Sequence, residues 1–326
     1  MSTTIGISIG DPNGIGPEVV LKTFTNRSVL SDCTPIVYAR LDFIEQELSH
    51  FGLHIPTHHM TDAPKPGVLN IVDCWPSAFQ PTYALVDPVA GALAVASLQA
   101  ATTALQQGVI DTLVTAPIHK AAIQSNNFRF PGHTDFLAQK FDGQALMFLV
   151  HPDLRVALVT DHVAVKDIAG HITTSRVKQK LEAVSLSLQQ DFGITNPKIA
   201  VLGLNPHAGD EGVIGQEEMD IITPLLQDLE LQNTNVAGPF SADAFFGAQS
   251  YKNYDAIVAM YHDQGLIPFK TLSFGSGVNF TAGLSIVRTS PDHGTAFAIA
   301  GKGLANPHSF QEAVATAMSI HQQRKA

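Results

Sequence analysis

Residues 254–270, YDAIVAMYHDQGLIPFK, join a short apolar run to a compact polar cluster. Residues 256–260 are apolar without a helical stripe, which predicts a buried strand. Polar residues follow at once, and Gly265 and Pro268 then predict a break in regular structure. Because ligands bind just beyond the carboxyl ends of strands in open α/β sheets, this stretch predicts such a sheet with a functional site at one strand end.

The same arrangement of strand and histidine occurs twice more. RVALVT (155–160) runs into His162, and KIAVLGL (198–204) runs into His207, as residues 256–260 run into His262. Three imidazoles suit a divalent transition metal and leave coordination positions open for a substrate. The chain has 14 histidines, so chance placement is an equally good explanation, and the spacing matches no short zinc motif.

The composition excludes several classes of function. The chain has 326 residues, of which 45% are hydrophobic and 15% charged, which is typical of a well-packed globular protein. No apolar run approaches the ~20 residues of a membrane span, and no secretory signal opens the chain. A net charge of −10 argues against nucleic acid and anionic membranes. Two cysteines are too few for a disulfide framework, so we expect a cytoplasmic protein with free thiols.

Strand and helix patterns alternate along most of the chain. Apolar runs predict strands at 4–9, 35–39, 69–73, 110–118, 145–150, 155–160, 198–204 and 256–260. Helical patterns cover 17–25, 41–52, 88–108, 173–191, 216–231 and 308–323, with a further short helix opening at His119. This alternation predicts a mostly parallel sheet covered by helices. The short HPDL connection after residue 150 predicts a hairpin, and hence a mixed sheet.

The loop GDPNGIGPE (10–18) follows the first predicted strand and opens a helix. It matches neither GxGxxG nor a Walker sequence, and its two acidic residues disfavour a phosphate. Gly14 and Gly16 allow close backbone packing there. We therefore interpret it as a strand–helix turn that lines a cleft.

Two groups of residues could bind an anion. In NNFRFPGHTDFLA (126–138), His133 and Thr134 lie beside a cation and a Pro-Gly turn, with a helix N-cap as the alternative. Lys270, Asn279 and Arg288 recur every nine residues among glycines, and could clamp a carboxylate or phosphate. The alternative for the cations of this second group is an ordinary surface position.

Several longer motifs resemble the 4-hydroxythreonine-4-phosphate dehydrogenases of pyridoxal phosphate biosynthesis. The resemblance runs nearly end to end, through GDPNGIGPE (10–18), TAPIHK (115–120), PGHTDF (131–136), LNPHAGDEG (204–212), MYHDQG (260–265) and VNFTAGLSIVRTSPDHGTA (278–296). The segment HGTAFAIAGKGLANP (293–307) is also similar to the cofactor loop of isocitrate and isopropylmalate dehydrogenases.

The resemblance implies a fold and an assembly. The fold would be isocitrate/isopropylmalate dehydrogenase-like, with two α/β/α sandwich domains around a cleft, a mixed sheet and no Rossmann nucleotide site. Residues 1–326 would form one two-lobed catalytic unit; no linker marks the lobe boundaries, and the terminal segments could share a lobe. The enzyme would be a homodimer with shared active sites, each taking His162 from one chain and His207 and His262 from the other.

The resemblance also implies roles for individual residues. The metal ligands would be His162, His207 and His262, and the substrate contacts would be His133, Thr134, Lys270, Asn279 and Arg288. The nucleotide, NAD or NADP, would lie near His293, Gly294 and Asn306. Candidates for the proton relay are Asp243, Asp263 and Lys120.

The implied reaction is the oxidation of a small phosphorylated amino acid, 4-phosphooxy-L-threonine, at C3. Decarboxylation then gives 3-amino-2-oxopropyl phosphate. A divalent ion (zinc, magnesium, cobalt or manganese) would lower the pKa of the C3 hydroxyl. Alternatives are a dehydrogenase of a sugar acid such as 4-phosphothreonate, a phosphate acyltransferase of the same broad fold, and a metal-dependent hydrolase without a nucleotide.

Overall fold

The computed structural model describes residues 2–125, 128–232 and 234–326. Its strands are β1 (Thr3–Ser8), β2 (Cys33–Ala39), β3 (Thr57–His59), β4 (Leu69–Asp73), β5 (Thr112–Thr115), β6 (Gly143–His151), β7 (Leu154–Leu158), β8 (Ile199–Leu202), β9 (Val236–Phe240), β10 (Ala256–Ala259), β11 (Val278–Leu284) and β12 (Arg288–Pro291). Its α-helices are α1 (Gly16–Phe24), α2 (Arg27–Asp32), α3 (Leu41–Phe51), α4 (Pro88–Gln106), α5 (His133–Lys140), α6 (Ile168–His171), α7 (Thr174–Phe192), α8 (Thr223–Leu231), α9 (Ala242–Gly247), α10 (His262–Leu272) and α11 (His308–Lys325).

The chain divides into two compact units. The first runs through Gly143 and adds Val278–Phe280 and Leu284–Gln322, so segments from both ends of the chain belong to it. The second comprises Gln144–Gly277, Thr281–Gly283 and Gln323–Ala326.

In the first unit the strands follow the order β3-β4-β2-β1-β5-β12-β11. All neighbouring pairs are parallel except β11 with β12. Helix α4 packs on β1, β2 and β5, and the Asp87 side chain accepts from the Val89 N–H at 2.8 Å to cap its start. By length and composition α4 could cross a membrane, but 56% of its apolar window is buried inside the protein, as in the core helix of a globular unit.

The turn at residues 10–18 packs as closely as its glycines predict. The Asp11 N–H donates to the Pro117 carbonyl at 2.9 Å. A Cβ on Gly16 would lie 2.6 Å from the Ile9 carbonyl oxygen, so no larger residue fits without a backbone shift. The turn therefore lies directly against the chain that follows β5, as the sequence predicts.

Two buried carboxylates, Glu18 on α1 and Glu47 on α3, support the segment 301–305 of the first unit. Glu18 accepts from the Ala305 N–H at 2.8 Å and from Lys22 at 2.7 Å. Glu47 accepts from the Tyr83 hydroxyl at 2.7 Å. The Tyr83 ring lies where a Cβ on Gly301 would be, so both carboxylates are linked to this segment.

In the second unit the strands follow the order β6-β7-β10-β8-β9. Strands β6 and β7 form the predicted hairpin, with Phe148 opposite Ala157, and the remaining pairs are parallel. The mixed sheet expected from the sequence is confirmed in both units.

Helix α10 corrects one prediction. Gly265 and Pro268 were expected to break regular structure, but the helix runs through both from His262 to Leu272. A Cβ on Gly265 would lie 2.7 Å from a Leu158 methyl and 3.1 Å from the Ala259 Cβ. Glycine thus lets the helix lie directly on β7 and β10, and this packing outweighs the weak local propensity.

The short helix predicted at His119 is also wrong. Residues 120–123 form turns, and the next helix begins at His133. The remaining predicted elements are present, with ends that differ by a few residues.

Candidate active site

Strands β7 and β10 deliver two of the three predicted metal ligands side by side. The Thr160 N–H and hydroxyl both donate to the Met260 carbonyl, at 3.1 and 2.7 Å. His162 and His262 follow two residues after this contact, beyond the ends of the strands, and their ring centroids lie 6.1 Å apart. Two imidazoles bound to one ion through nitrogens at about 2.1 Å have ring centres about 5–6 Å apart, so the pair is close to a metal-binding geometry.

An acidic neighbour orients the ring of His262, and another lies near the ring of His162 without a hydrogen bond to it. His262 Nδ1 lies 2.7 Å from Asp263 Oδ1, and His162 Nδ1 lies 3.8 Å from Asp161 Oδ2. A carboxylate that accepts from the Nδ1–H group fixes the tautomer with a free Nε2, which is the usual arrangement at metal-bound histidines. Both pairs are exposed to solvent, and a ligand could therefore reach them.

Gln264 is a site residue to which the sequence assigned no role. Its Oε1 accepts from the Met260 N–H at 2.7 Å, and its Nε2 donates to the Gly203 carbonyl at 2.6 Å. The side chain thus connects the end of β10 to the segment that leads to His207. The sequence signal was its place in the polar cluster after the strand.

His207 does not lie with the other two histidines. Its side chain is exposed on a turn after β8. It lies near Asp243, whose pKa is lowered mainly by the hydrogen bond from the Ser241 hydroxyl at 2.6 Å, with a smaller contribution from His207. Among the described residues, no three His, Cys, Asp or Glu side chains lie close enough together to hold an ion. One chain therefore offers two imidazoles at one place and a third elsewhere.

The first unit holds a buried cationic group. Arg288 is 2% exposed, and its Nε and Nη2 atoms both donate to Thr115 Oγ1, at 3.1 and 2.5 Å. Burial lowers the pKa of Arg288 to about 9, which still leaves it charged at neutral pH. Burial and the Arg288 charge together hold the pKa of His133 well below its usual range, so its ring is neutral.

The other predicted substrate residues divide between the two units. Asn279 pairs with Ser290 in the β11–β12 ladder, which places it on the same face as Arg288; its Oδ1 is buried without a hydrogen-bond partner among the described residues. Thr134 lies in the first turn of α5, whose N-cap is Gly132, so the alternative that Thr134 caps this helix is wrong. Lys270 is exposed on α10 and belongs to the second unit. Positions 126 and 127 of the same predicted segment lie outside the described residues.

His293, Gly294 and Asn306 bound the segment expected to hold the nucleotide. The Nε2 atom of His293 is buried and, within the described part of the chain, has no hydrogen-bond partner. A Cβ on Gly294 would meet nothing within 4 Å. The Asn306 side chain instead accepts from the His308 N–H at 3.0 Å and so caps α11. An open glycine beside an unpartnered imidazole nitrogen is compatible with a ligand.

The third relay candidate, Lys120, is exposed in the turns after β5. Its neighbour His119 is a better candidate for the relay than Lys120. The His119 ring stacks on Phe297, with centroids 5.1 Å apart, and this contact holds it in one place. His119 Nδ1 and Asp11 Oδ2 are both buried without partners among the described residues. Burial raises the pKa of Asp11, and the hydrogen bond from the Asn13 N–H and, less strongly, nearby His119 oppose this shift. Sequence could not show this pair, since over a hundred residues separate the two.

Known proteins resemble the chain along almost its whole length. The family model described as "Pyridoxal phosphate biosynthetic protein PdxA" matches residues 31–317. A Bacteroides thetaiotaomicron protein named 4-hydroxythreonine-4-phosphate dehydrogenase is 44% identical over 325 residues, which cover 98% of this chain and 89% of that protein. The crystal structure of a Klebsiella pneumoniae protein of the same name shares 32% identity with a TM-score of 0.84, and 99% of each chain is covered.

A more distant similarity concerns the fold alone. The isocitrate dehydrogenase of Methylococcus capsulatus is 13% identical with a TM-score of 0.50, covering 100% of this chain and 87% of the other. The expected mixed α/β fold of the isocitrate dehydrogenase type is thereby confirmed. Because the family model spans most of the sequence and its relatives align end to end, the chain belongs to the PdxA family of pyridoxal phosphate biosynthetic proteins.

Proposed function

We propose that this chain is a 4-hydroxythreonine-4-phosphate dehydrogenase that acts in pyridoxal 5'-phosphate biosynthesis in the cytoplasm. It oxidises C3 of 4-phosphooxy-L-threonine with NAD or NADP and releases carbon dioxide and 3-amino-2-oxopropyl phosphate. The observation that carries the proposal is the pair His162–His262, with ring centroids 6.1 Å apart, in a chain 44% identical to a protein of that name.

The residues that would hold the divalent ion are His162, His207 and His262. An ion bound there would lower the pKa of the substrate hydroxyl and stabilise the negative charge that develops on oxygen. Asp263 contacts His262 Nδ1 directly, so we assign it to orienting that ring rather than to moving a proton. Asp243, near His207, and Lys120 remain candidates for the proton relay, and His119 joins them.

The buried cation accounts for recognition of an anionic substrate. Arg288 has its guanidinium held in one plane by Thr115, and such a fixed fork suits phosphate and carboxylate oxygens. The neutral ring of His133 can exchange a hydrogen bond with the same group without adding charge. Asn279, Thr134 and Lys270 would complete the contacts, and His293, Gly294 and Asn306 would adjoin the nucleotide.

An exposed apolar residue follows each of the three histidines closely, which supports a homodimer with shared sites. Val165, Val213 and Ile267 are 82%, 81% and 64% exposed. A homodimer would cover such side chains, since contiguous exposed apolar surface typically marks a protein–protein interface. Because His162 and His262 lie together in one chain, we infer that each site takes these two from one protomer and His207 from its partner. This division replaces the one implied by the sequence resemblance.

A single assay tests the function. The purified protein receives 4-phosphooxy-L-threonine or 4-phosphothreonate with NAD or NADP, before and after exhaustive chelation. We expect nicotinamide reduction with the amino acid substrate, its loss on chelation, and its return when a divalent ion is added. Faster turnover of 4-phosphothreonate would reassign the substrate to a sugar acid. Full activity after chelation, with no metal found by elemental analysis, would refute the metal site.

A further inference from the structure

The turn that carries His207 has an unusual backbone. Five successive residues, His207–Glu211, have φ values between 45° and 83°, and only Gly209 among them is a glycine. L-residues visit this left-handed region rarely and singly, because Cβ then crowds the following carbonyl oxygen. A run of five therefore needs support from outside the turn.

Glu218 supplies that support. It is 2% exposed and lies at the start of the helical segment that leads into α8. Its Oε1 accepts from the Asn205 N–H at 2.7 Å, and its Oε2 accepts from Asn205 Nδ2 at 2.8 Å. Asn205 in turn accepts at its carbonyl from the Ala208 N–H at 3.1 Å. Asn205 Nδ2 also donates to Glu217 at 2.7 Å, but only Glu218 binds both the backbone N–H and the side chain of the residue from which the left-handed turn starts.

The same carboxylate also packs against the middle of the turn. A Cβ on Gly209 would lie 2.7 Å from Glu218 Oε2, and one on Gly203 would lie 3.0 Å from Glu218 Oε1. No side chain larger than hydrogen fits between the turn and Glu218 at these two places. The position of the turn is therefore set by Glu218 from two directions.

The His207 ring itself is exposed at the beginning of the turn. The backbone fixes the direction in which the His207 side chain leaves the turn, so this direction depends on whatever holds the backbone in the left-handed region. We propose that Glu218 is a positioning residue that acts through Asn205 to aim His207 at the metal. This inference rests on the proposed role of His207 as a ligand.

Co²⁺ titration of the full-length protein, followed by visible absorption and without substrate, tests the inference. Glu218→Gln replaces one carboxylate oxygen with an amide NH₂ group, which cannot accept a hydrogen bond from Asn205. The turn therefore loses part of its support. We expect Co²⁺ affinity to fall tenfold to a hundredfold, about the effect of removing the partner of a metal ligand. The control is Asp220→Asn, the same change of charge at an exposed position two residues further on; it should leave the affinity unchanged.

A second variant links the effect to the backbone. Glycine occupies the left-handed region without the Cβ penalty, so Ala208→Gly added to Glu218→Gln should recover part of the lost affinity. A general loss of folding would not be rescued in this way. If Glu218→Gln does not fold, Asn205→Ala replaces it, because it removes the side-chain bonds to Glu218 and Glu217 and keeps the backbone bond to Glu218; Glu217→Gln then serves as its control and should leave the affinity unchanged.

His207→Ala separates this inference from the function on which it rests. If His207→Ala binds Co²⁺ as tightly as the wild type, His207 is not a ligand, and the ligand set itself is wrong. If His207→Ala loses affinity while the folded Glu218→Gln or Asn205→Ala variant retains it, the ligand set stands and the positioning role of Glu218 is overturned.

Discussion

Glu47 should make the first unit less stable as the pH rises. Its side chain is fully buried, and burial raises the pKa of Glu47 to about 7, although the hydrogen bond from Tyr83 opposes the effect. An exposed glutamate has a pKa of about 4.3, and a tenfold difference in proton affinity corresponds to about 1.4 kcal/mol. The ionised carboxylate therefore costs the folded state about 4 kcal/mol.

Because the pKa of Glu47 is higher in the folded state than in the unfolded state, the folded state loses stability as the pH rises. The stabilisation is complete below the unfolded pKa and is lost as the pH rises through about 7. Between about pH 5.5 and about pH 8.5 the loss amounts to about 2 kcal/mol. Glu47→Gln removes the charge and keeps the acceptor for Tyr83, so its advantage over the wild type should grow by that amount across the interval. Any constant cost of the buried amide cancels in this difference.

The single tryptophan provides the assay. Trp75 is buried in the first unit, with its ring centroid 4.8 Å from that of Phe43 on the same helix as Glu47. Urea unfolding followed by Trp75 fluorescence at both pH values gives the free energy of unfolding for wild type and variant. Glu45→Gln, an exposed change on the same helix, is the control. Parallel pH profiles for wild type and Glu47→Gln would refute the assignment of the shift to Glu47.

Three further predictions concern the site. Arg288→Lys keeps the charge but loses the fork held by Thr115, so the KM for the phosphorylated substrate should rise at least about tenfold, or about 1.4 kcal/mol; an unchanged KM in steady-state kinetics would place Arg288 outside the site. The pKa of His133 is lowered, so stability from this group is lost as the pH falls below about 6.5; His133→Asn should flatten the acid limb of the unfolding profile, and an unaltered limb would contradict this. Refolding a mixture of His207→Ala and His262→Ala chains should restore roughly a quarter of wild-type activity through mixed dimers. A mixture of His162→Ala and His262→Ala should stay inactive, and recovery there instead would favour the opposite division of the ligands.

Apolar runs predicted strands such as β10 and β8 correctly because these strands are buried over their full length, whereas the partly exposed β3 and β9 gave no such run. The three strand-end histidines could be named from the sequence, but the placement of His162 beside His262 in one chain could not, because it depends on β7 and β10 being neighbours in the sheet. Helix α10 was missed because Gly265 favours a break locally, while its packing on β7 and β10 is a tertiary effect. The left-handed turn at His207 could not be predicted, since Ala208 and Glu211 have no intrinsic preference for that region and five successive residues rarely adopt it.

The long-range polar contacts were also invisible in the sequence. Glu47 and Tyr83 are 36 residues apart, and Arg288 and Thr115 are 173 apart. No periodicity connects such pairs, because each depends on which strands and helices become neighbours. The candidate residues could thus be named from motifs, but the partners that set their charge and direction could not.

Gly265 acts as a spacer for the histidine pair. Because α10 rests on β7 and β10 through a residue without a side chain, the thickness of that contact helps to determine how far His262, at the start of the helix, stands from His162. Even one added methyl group would lift the helix and widen the gap between the imidazoles. At the proposed metal site, the size of the bound ion would therefore be controlled in part by a position that does not contact it, and a designer who wished to alter metal preference could begin beneath the helix rather than at the ligands.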